Sequence, residues 1–223
     1  MDIFISCLLI ALVSYVLGSI PGAVVVGGLF TKKNFEKEES GNLGATNALR
    51  IVSKEKGKFL GAAAFSLVFI FDASKAVAAC FIAQTLIPDN IAAVTLATFF
   101  TVVGHNYSIF LKFHGGRGAA SLIGILIYLD YKMFLVWFGT FLLSAIVFEI
   151  VESKKIDKKL VVRAIDKQII GRLAGEVLAL VPIYFLDKIV FWPTLAVTPL
   201  ILIRHKERVL KQIEERDNQR LNN

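Results

Sequence analysis

The chain has 223 residues, 56% of them hydrophobic, and its mean hydropathy of +0.66 lies well above that of a soluble domain. It nevertheless carries a formal net charge of +7. No nucleic-acid-binding motif accompanies this charge, and basic inside loops explain it in most membrane proteins. The two cysteines, Cys7 and Cys80, lie in apolar segments, so neither a disulfide framework nor a metal-binding pair is indicated.

The first predicted element is an apolar stretch from Ile3 to Phe30 that contains no charged residue. Spanning a bilayer needs only about 20 apolar residues. Because Asp2 precedes the stretch in place of a basic segment, and no small-residue cleavage site follows, we expect a retained span and not a signal peptide. Gly18, Pro21 and Gly22 predict a break or a close helix contact within it.

Six further apolar blocks follow, and all are predicted to be helical because no segment alternates with period two. They cover roughly 59–87, 91–111, 119–129, 133–151, 173–186 and 189–203. The breaks fall at Pro88–Asn90, Asp130–Lys132 and Asp187–Lys188. Seven crossings result if every block spans, although the blocks at 119–129, 173–186 and 189–203 are short enough for tilted or re-entrant helices. The predicted fold class is an all-α, polytopic membrane helical bundle that forms one domain, residues 1–223.

The distribution of basic residues predicts the orientation of the bundle. Of the 25 lysines and arginines, 22 lie in four segments: 31–58, 112–117, 154–172 and the tail from Arg204. Cytoplasmic loops are enriched in Lys and Arg, so these segments are expected in the cytoplasm, together with the C-terminus, and the N-terminus outside. The tail mixes charges of both signs and is expected to form a surface helix.

The first candidate site is the segment "ESGNLGATNALR", residues 39–50. Glycines bring backbone N–H groups close to an anion, hydroxyls and amides donate hydrogen bonds, and arginine binds phosphate bidentately. The candidate phosphate-binding residues are Ser40, Gly41, Asn42, Gly44, Thr46, Asn47 and Arg50. The alternative is a helix-capping turn with Thr46 or Ser40 as the N-cap. The segment does not fit the nucleotide-binding P-loop pattern.

The second candidate site is "GHNYSIFLKFHGGRGAAS", residues 104–121. Consecutive glycines can form a nest of N–H groups, and a helix starting near Ala119 would add its positive end. The candidate binding residues are Asn106, Lys112, Gly115, Gly116 and Arg117. The alternative is a tight chain reversal at the membrane interface.

The three histidines are all expected near the inner membrane surface: His105, His114 and His205. Beside two anion-binding loops they suit acid–base or hydrogen-bonding roles, and we assign candidate catalytic roles to His105, His205 and Ser40. No Cys/His or HExxH spacing supports a metal, and no cofactor is expected. Within the bilayer, Asp72 and Lys75 can pair on one helix face, either for function or to lock helix packing.

These segments resemble those of the bacterial acyl-phosphate:glycerol-3-phosphate acyltransferases. The similar motifs are "GSIPG" (18–22), "SGNLGATNALR" (40–50), "DASK" (72–75), "GHNYSIFLKFHGGRGAAS" (104–121) and "RHKERVLKQIEERD" (204–217), collinear over nearly the whole chain. The resemblance implies a seven-helix membrane bundle with its motifs on the cytoplasmic side of the cell membrane. Arg117, Arg208 and Glu215 stand where the family usually has lysine, asparagine and glycine, and the serine-containing stretch expected in 152–172 is absent.

The resemblance further implies that a fatty acyl group moves from acyl-phosphate to the 1-hydroxyl of glycerol 3-phosphate, giving lysophosphatidic acid and inorganic phosphate in phospholipid synthesis. It implies an inner-membrane enzyme with acyl-phosphate and glycerol 3-phosphate as substrates, membrane lipid as its surroundings and association with an acyl-phosphate-producing enzyme. Two alternatives stay open. One is a transporter of a phosphorylated solute, and the other is a non-catalytic homologue that binds lipid or a partner enzyme.

Overall fold

The computed structural model describes residues 2–153, 157–166 and 168–221, with side chains outside 166 and 217–221. Over these ranges the chain is helical, and the predicted all-α class is confirmed. The helices are α1 Ile3–Ser19, α2 Gly22–Val25, α3 Ala45–Lys56, α4 Lys58–Leu86, α5 Ile91–Asn106, α6 Ala119–Ser153, α7 Leu160–Asp166, α8 Ile169–Leu186 and α9 Lys188–Leu221. Two short 3-10 helices cover Gly27–Leu29 and Ile109–Leu111.

Four helical segments in the described ranges are long and apolar enough to cross a membrane. They are Ile3–Leu29, Lys58–Leu86, Ala119–Ser153 and Ile169–Leu186. Helix α5 is apolar but shorter, at 16 residues. Large apolar side chains such as Phe4 (72% exposed) and Phe185 (79% exposed) lie on the surface of the chain, as expected for helices that face lipid.

The predicted breaks between helices are confirmed. Helix α1 ends at Ser19 and α2 begins after Pro21, since proline donates no backbone N–H and fixes its own φ. Helix α4 ends before Pro88–Asn90, and the Asn90 side chain accepts a hydrogen bond from the backbone N–H of Ala93 to cap α5. Helices α8 and α9 meet at Asp187, whose backbone is extended.

Helix α6 contains the third predicted break. Asp130 has φ −159° and ψ 110°, values that no helical residue adopts, so α6 consists of two helical segments on either side of it. The Asp130 carboxylate accepts a hydrogen bond from the N–H of Lys132 and so caps the second segment.

The apolar block predicted at 91–111 ends earlier as a helix than the sequence suggested. Helix α5 stops at Asn106, and residues 107–118 form a loop that is held by hydrogen bonds described below.

The chain divides into two compact units, Met1–Leu129 and Asp130–Asn223. The first unit is built on a close contact between α1 and α5. A Cβ placed on Gly18 would lie 2.1 Å from the Thr101 carbonyl oxygen, and one on Gly104 would lie 2.2 Å from that of Tyr15. These distances are far below van der Waals contact, so only glycine allows the two backbones to approach this closely.

The second unit is tied together by six polar side chains at one end of its helices. We call this group the polar clasp: Glu149, Glu152, Arg163, Gln168, Gln212 and Arg216. In it Arg163 Nε donates to Glu149 Oε1 at 2.6 Å, and Arg216 Nε donates to Glu152 Oε1 at 2.7 Å. Gln168 Nε2 donates to both glutamates. The clasp therefore links α6, α7, α8 and α9.

The polar clasp also caps α8. The side-chain oxygen of Gln212 accepts hydrogen bonds from the backbone N–H groups of Ile169 and Ile170, at 2.9 and 3.2 Å. The N-cap residue itself, Gln168, makes no such bond. The first N–H groups of a helix have no partner within that helix, so a side chain from α9 supplies the acceptor. Arg163 and Gln168, which belong to the long charged loop seen in the sequence, therefore serve to hold the helices of the second unit together.

Candidate active site

The first loop, residues 35–47, is organised around the buried side chain of Asn47. Its amide nitrogen donates to the carbonyl oxygens of Phe35 (3.1 Å) and Glu38 (3.4 Å). Its amide oxygen accepts from the hydroxyl of Ser40 at 3.1 Å and from the backbone N–H of Ser40 at 3.3 Å. Asn47 thus uses both ends of its amide to shape the loop, and the Ser40 hydroxyl is part of the same arrangement.

The turn that carries Gly41 has left-handed backbone. Gly41 has φ 63° and its N–H donates to the Glu38 carbonyl at 3.0 Å. A Cβ there would lie 2.9 Å from the Glu36 carbonyl oxygen, so glycine is required. Glu39 is also left-handed, with φ 54°, and pairs with Lys54 at 2.5 Å. The hydrogen bond from Lys54 lowers the pKa of the Glu39 carboxyl.

The alternative interpretation of this loop, a helix-capping turn with Thr46 or Ser40 as the N-cap, is wrong. The N-cap of α3 is Gly44, in extended backbone with φ −138°, and no side chain caps it. Neither Ser40 nor Thr46 serves as the N-cap, because Ser40 bonds Asn47 and Thr46 lies within the first turn of α3. The first-turn N–H groups of α3 therefore have no side-chain partner at this position.

Thr46 and Arg50 lie on the first turns of α3, four residues apart, and both side chains are exposed. Residues at this spacing share a helix face. Asn42 and Gly44 are neighbours, since a Cβ on Gly44 would lie 2.9 Å from the Asn42 amide nitrogen. The exposed donors of the loop and the start of α3 therefore come from one short stretch.

The second loop, residues 107–118, is fixed to the rest of the first unit through Ser108. The Ser108 hydroxyl donates to the Ser19 carbonyl at 2.5 Å, at the end of α1. Its backbone forms an isolated bridge with His114. Between them, Lys112 (φ 50°) and Phe113 (φ 63°) both adopt left-handed backbone. Sequence reasoning did not single out Ser108, because its partner lies 89 residues away.

The glycines at the end of this loop pack directly on His105. The Gly116 N–H donates to the His105 carbonyl at 2.9 Å, so this amide is engaged within the chain. A Cβ on Gly116 would lie 2.1 Å from His105 Nε2, and one on Gly115 would lie 2.2 Å from the His105 carbonyl oxygen. Asn106 is fully buried beside them. Arg117 follows and is half-buried.

His105 also faces a buried ion pair. Lys75 Nζ lies 2.9 Å from Asp72 Oδ1, and His105 Nδ1 lies 3.6 Å from the same oxygen. All three side chains are almost fully buried. Lys75 also donates to the Ile20 carbonyl at 3.0 Å, where α1 has ended. The predicted pairing of Asp72 with Lys75 is confirmed, and sequence reasoning missed His105 as its third member.

The two loops belong to one apolar cluster. Leu43 from the first loop is buried in it, together with Ala48 of α3, and Leu111 from the second loop packs against it. The loops that carry the two groups of candidate phosphate-binding residues are thus neighbours within the first unit.

Comparison with known proteins identifies the family to which a chain with these two loops belongs. The model of the family described as glycerol-3-phosphate acyltransferase matches residues 8–215, which include both loops and the tail histidine. The chain belongs to the glycerol-3-phosphate acyltransferase family.

Relatives within this family are similar over most of the chain. A glycerol-3-phosphate acyltransferase of Pelagibacter ubique is 40% identical over 141 residues, which are 61% of this chain and 68% of that protein. The glycerol-3-phosphate acyltransferase 2 of Bacillus anthracis is 29% identical over 211 residues, covering 95% of this chain and 97% of that protein.

A solved structure of the family has the same fold. It is PlsY, an integral membrane glycerol 3-phosphate acyltransferase, in its glycerol 3-phosphate form. It is 25% identical to this chain, has a TM-score of 0.68, and the match covers 95% of this chain and 94% of PlsY. Together with the four long apolar helices, this likeness makes the present acyltransferase family member a multi-pass integral membrane protein.

The third candidate catalytic residue of this family member, His205, lies in the second unit. It is buried on α9, and its Nδ1 lies 2.8 Å from the Ile201 carbonyl oxygen. A carbonyl oxygen only accepts, so Nδ1 carries the proton and any acid–base role falls to Nε2. The bond to Ile201 fixes the direction of the ring along its own helix.

Proposed function

We propose that this chain transfers a fatty acyl group from acyl-phosphate to the 1-hydroxyl of glycerol 3-phosphate. The products are lysophosphatidic acid and inorganic phosphate, and the reaction belongs to phospholipid biosynthesis. The observation that carries the proposal is the family match over residues 8–215, which includes both anion-binding loops. The likeness to PlsY, which was solved in a glycerol 3-phosphate form, supports the acceptor. The whole chain, residues 1–223, acts as one acyltransferase domain.

Phosphate is bound between the two loops. From the first loop, Thr46 and Arg50 contact it directly, because both are exposed on the first turns of α3. The N–H groups of residues 42–44 contribute to the same cradle, while the Gly41 N–H holds the turn by donating to Glu38. Ser40 and Asn47 hold the loop in shape through their mutual hydrogen bonds. From the second loop, Arg117 and Lys112 supply positive charge, while Gly115 and Gly116 let the backbone approach the ligand.

Catalysis rests mainly on positioning and on charge stabilisation. Phosphate is a good leaving group and needs little acid assistance, so the arginines that bind it also stabilise the charge that develops on it. His205 keeps its candidate acid–base role, which falls to Nε2 because Nδ1 is bonded to Ile201, and His105 orients the second loop. No metal or cofactor is required for any of these steps.

The proposed topology has seven crossings, with the N-terminus outside and the site and C-terminus in the cytoplasm. The break at Asp130 supports the count, since the halves of α6 supply two of the seven apolar helical segments. The distribution of Lys and Arg supports the orientation. A cysteine placed at exposed Thr46 should react with a membrane-impermeant maleimide in inside-out vesicles but not in right-side-out vesicles.

Turnover by purified protein tests the function. The protein in detergent, given acyl-phosphate and glycerol 3-phosphate, should release inorganic phosphate and form lysophosphatidic acid in equal amounts. Acyl-CoA in place of acyl-phosphate is the control donor and should give no product. Absence of phosphate release with every chain length and acceptor would reject the proposal.

A second assay separates the enzyme from a transporter of phosphorylated solutes. Labelled glycerol 3-phosphate is offered to proteoliposomes, and both uptake and lipid product are measured. The acyltransferase should give lipid product only in the presence of acyl-phosphate, without accumulation of solute in the lumen.

An enzyme that produces acyl-phosphate is the expected partner of this chain, since the product of that enzyme is the acyl donor of this one.

A further inference from the structure

The buried group formed by Asp72, Lys75 and His105 connects the interior of the first unit to the second loop. We propose that Asp72 is a positioning residue, which holds the Gly115–Gly116 backbone in place for phosphate binding by acting through His105 and Ser121. This inference rests on the proposed function of the loop, and its tests include a binding measurement that does not require acyl transfer.

The first connection runs through the side chain of Asp72. Its carboxylate lies 3.6 Å from His105 Nδ1, and the opposite edge of the same ring lies against Gly116, where a Cβ would be 2.1 Å from Nε2. The ring therefore lies between a carboxylate and the loop backbone, and it occupies the space that a side chain at position 116 would need.

The second connection runs through the backbone of Asp72. The hydroxyl of Ser121 donates to the Asp72 carbonyl oxygen at 3.1 Å. Ser121 lies in the first turn of α6, directly after the loop. His105 lies before the loop and Ser121 after it, so one residue of α4 fixes both ends of the segment that carries Gly115, Gly116 and Arg117.

Electrostatics explain why this residue is charged. Burying an ion pair within a membrane span is costly, and apolar residues of similar volume usually pack α-helices at least as well. An ion pair that served only to hold α4 against its neighbours would therefore stabilise the fold no better than apolar residues. Lys75 neutralises Asp72 at 2.9 Å, and the carboxylate remains 3.6 Å from Nδ1 of His105 as a fixed negative group beside the ring. Apolar residues cannot orient an imidazole ring in this way.

A double-mutant cycle tests the connection through His105. Gly116→Ala places a methyl group where the ring lies, so we expect kcat/KM to fall by about tenfold or more. In the His105→Ala background the ring is absent, so adding Gly116→Ala should cost less than about threefold. Gly115→Ala is the control, because its methyl group meets the His105 carbonyl oxygen, which is present in both backgrounds. It should cost the same in both.

A matched pair of hydrogen-bond deletions tests the connection through Ser121. Ser121→Ala and Tyr128→Phe each remove one hydrogen bond between α6 and α4, since Tyr128 donates to Gln84 at 2.7 Å. Only Ser121 adjoins the loop. We expect Ser121→Ala to raise the KM for a phosphorylated substrate by about threefold or more, with kcat less affected, and Tyr128→Phe to leave both constants unchanged.

Asp72→Asn completes the test, with binding of radiolabelled glycerol 3-phosphate as the second readout. The expected result is weaker binding, and this loss should shrink when His105 is already alanine. Additive effects of Gly116→Ala and His105→Ala, or equal kinetics for the Ser121 and Tyr128 variants, would overturn the proposal. If the wild-type protein bound glycerol 3-phosphate without turnover, the proposed function would fail while the coupling would still be measured by binding.

Discussion

Polar side chains are used differently in the two units of this chain. In the first unit the Asp72 side chain is 1% exposed and that of Lys75 is 5% exposed, and Lys75 is the ion-pair partner that neutralises Asp72. In the second unit the arginines of the polar clasp are more exposed to solvent, Arg163 at 20% and Arg216 at 23%, although their partner Glu149 is only 5% exposed. Several clasp residues bond more than one other member: Glu149 accepts from Arg163 and Gln168, and Glu152 accepts from Gln168 and Arg216.

The difference shows where each unit tolerates change. Removing one partner of a buried ion pair leaves an uncompensated charge and costs about 3–5 kcal/mol, whereas exposed pairs contribute about 0–1 kcal/mol. Redundant contacts in the clasp allow a remaining partner to replace a lost one. Loss of either member of the buried Asp72–Lys75 pair is therefore expected to cost most in the first unit, which also carries both candidate phosphate-binding loops.

The largest effect is expected from filling the contact between α1 and α5. Gly104→Ala would place a Cβ 2.2 Å from the Tyr15 carbonyl oxygen, so the two helices must separate. We expect a clearly lower melting temperature in detergent and a loss of monodisperse protein on gel filtration. Gly139→Ala in the second unit is the control, since a Cβ there meets nothing within 4 Å. Equal melting temperatures for the two variants would contradict this account.

The next effect concerns Arg50 in the first unit. A bidentate, charge-assisted bond to phosphate contributes about 1.5–3 kcal/mol when partly desolvated. Arg50→Ala should therefore lower kcat/KM by about tenfold to a hundredfold. Arg50→Lys should recover only part of this loss, because an ammonium group cannot reproduce the two parallel bonds.

Lys56 provides the comparison for Arg50, as it lies on the last turn of the same helix and is exposed. Lys56→Ala should leave the steady-state constants close to those of the wild-type enzyme. Unchanged turnover by a well-folded Arg50→Ala variant would mean that the first loop does not bind phosphate.

A smaller effect is expected in the polar clasp. Gln212→Ala removes the acceptor for the N–H groups of Ile169 and Ile170, and loss of a helix cap typically costs about 1 kcal/mol. The measurement is the melting temperature, with Lys211→Ala as the neighbouring control on the same helix. Kinetic constants should stay the same, and a Gln212→Ala variant that melted like the control would show that the cap is redundant.

The smallest effect is expected for the exposed pair of Glu39 and Lys54. The pKa of Glu39 is lowered, so the contribution of this pair is present above the ordinary carboxyl pKa and is lost as the pH falls through the lowered value. Solvent screening keeps the contribution small. Lys54→Ala should melt nearly as the wild type does at neutral pH, and any difference should shrink as the pH falls below the ordinary carboxyl pKa. A difference that grew on acidification would have the wrong sign.

Much of the helical architecture can be predicted from the sequence, because local residues determine it. Pro88–Asn90 and Asp187 end helices through their own backbone and capping chemistry, and the structure has breaks at both. The two glycine-rich loops could also be located from the sequence, because the residues that mark them lie close together in the chain. The proton position on His205 and the N-cap at Gly44 were not, since both depend on the final fold.

The contacts that organise the site join residues far apart in the chain. Ser108 bonds Ser19, and Gly116 packs on a ring that faces Asp72, a residue 44 positions earlier in the chain. No periodicity or spacing rule encodes such pairs. The clasp was likewise visible only as a long charged loop, because the sequence does not reveal that Gln212 accepts from the start of α8.

The bond from Lys75 to Ile20 has an additional electrostatic consequence. Helix α1 ends inside an apolar segment, and the aligned peptide dipoles of a helix place about half a negative charge at its C-terminal end. Ile20 directly follows this end of α1, and the ammonium of Lys75 donates to its carbonyl oxygen at 3.0 Å, so the cation lies beside the negative end of the helix. A single cation thus balances a helix macrodipole as well as a carboxylate. The break in the first span therefore does not leave the negative end of α1 without a counter-charge. A neutral residue at position 75 would deprive both this helix end and the Asp72 carboxylate of their cation.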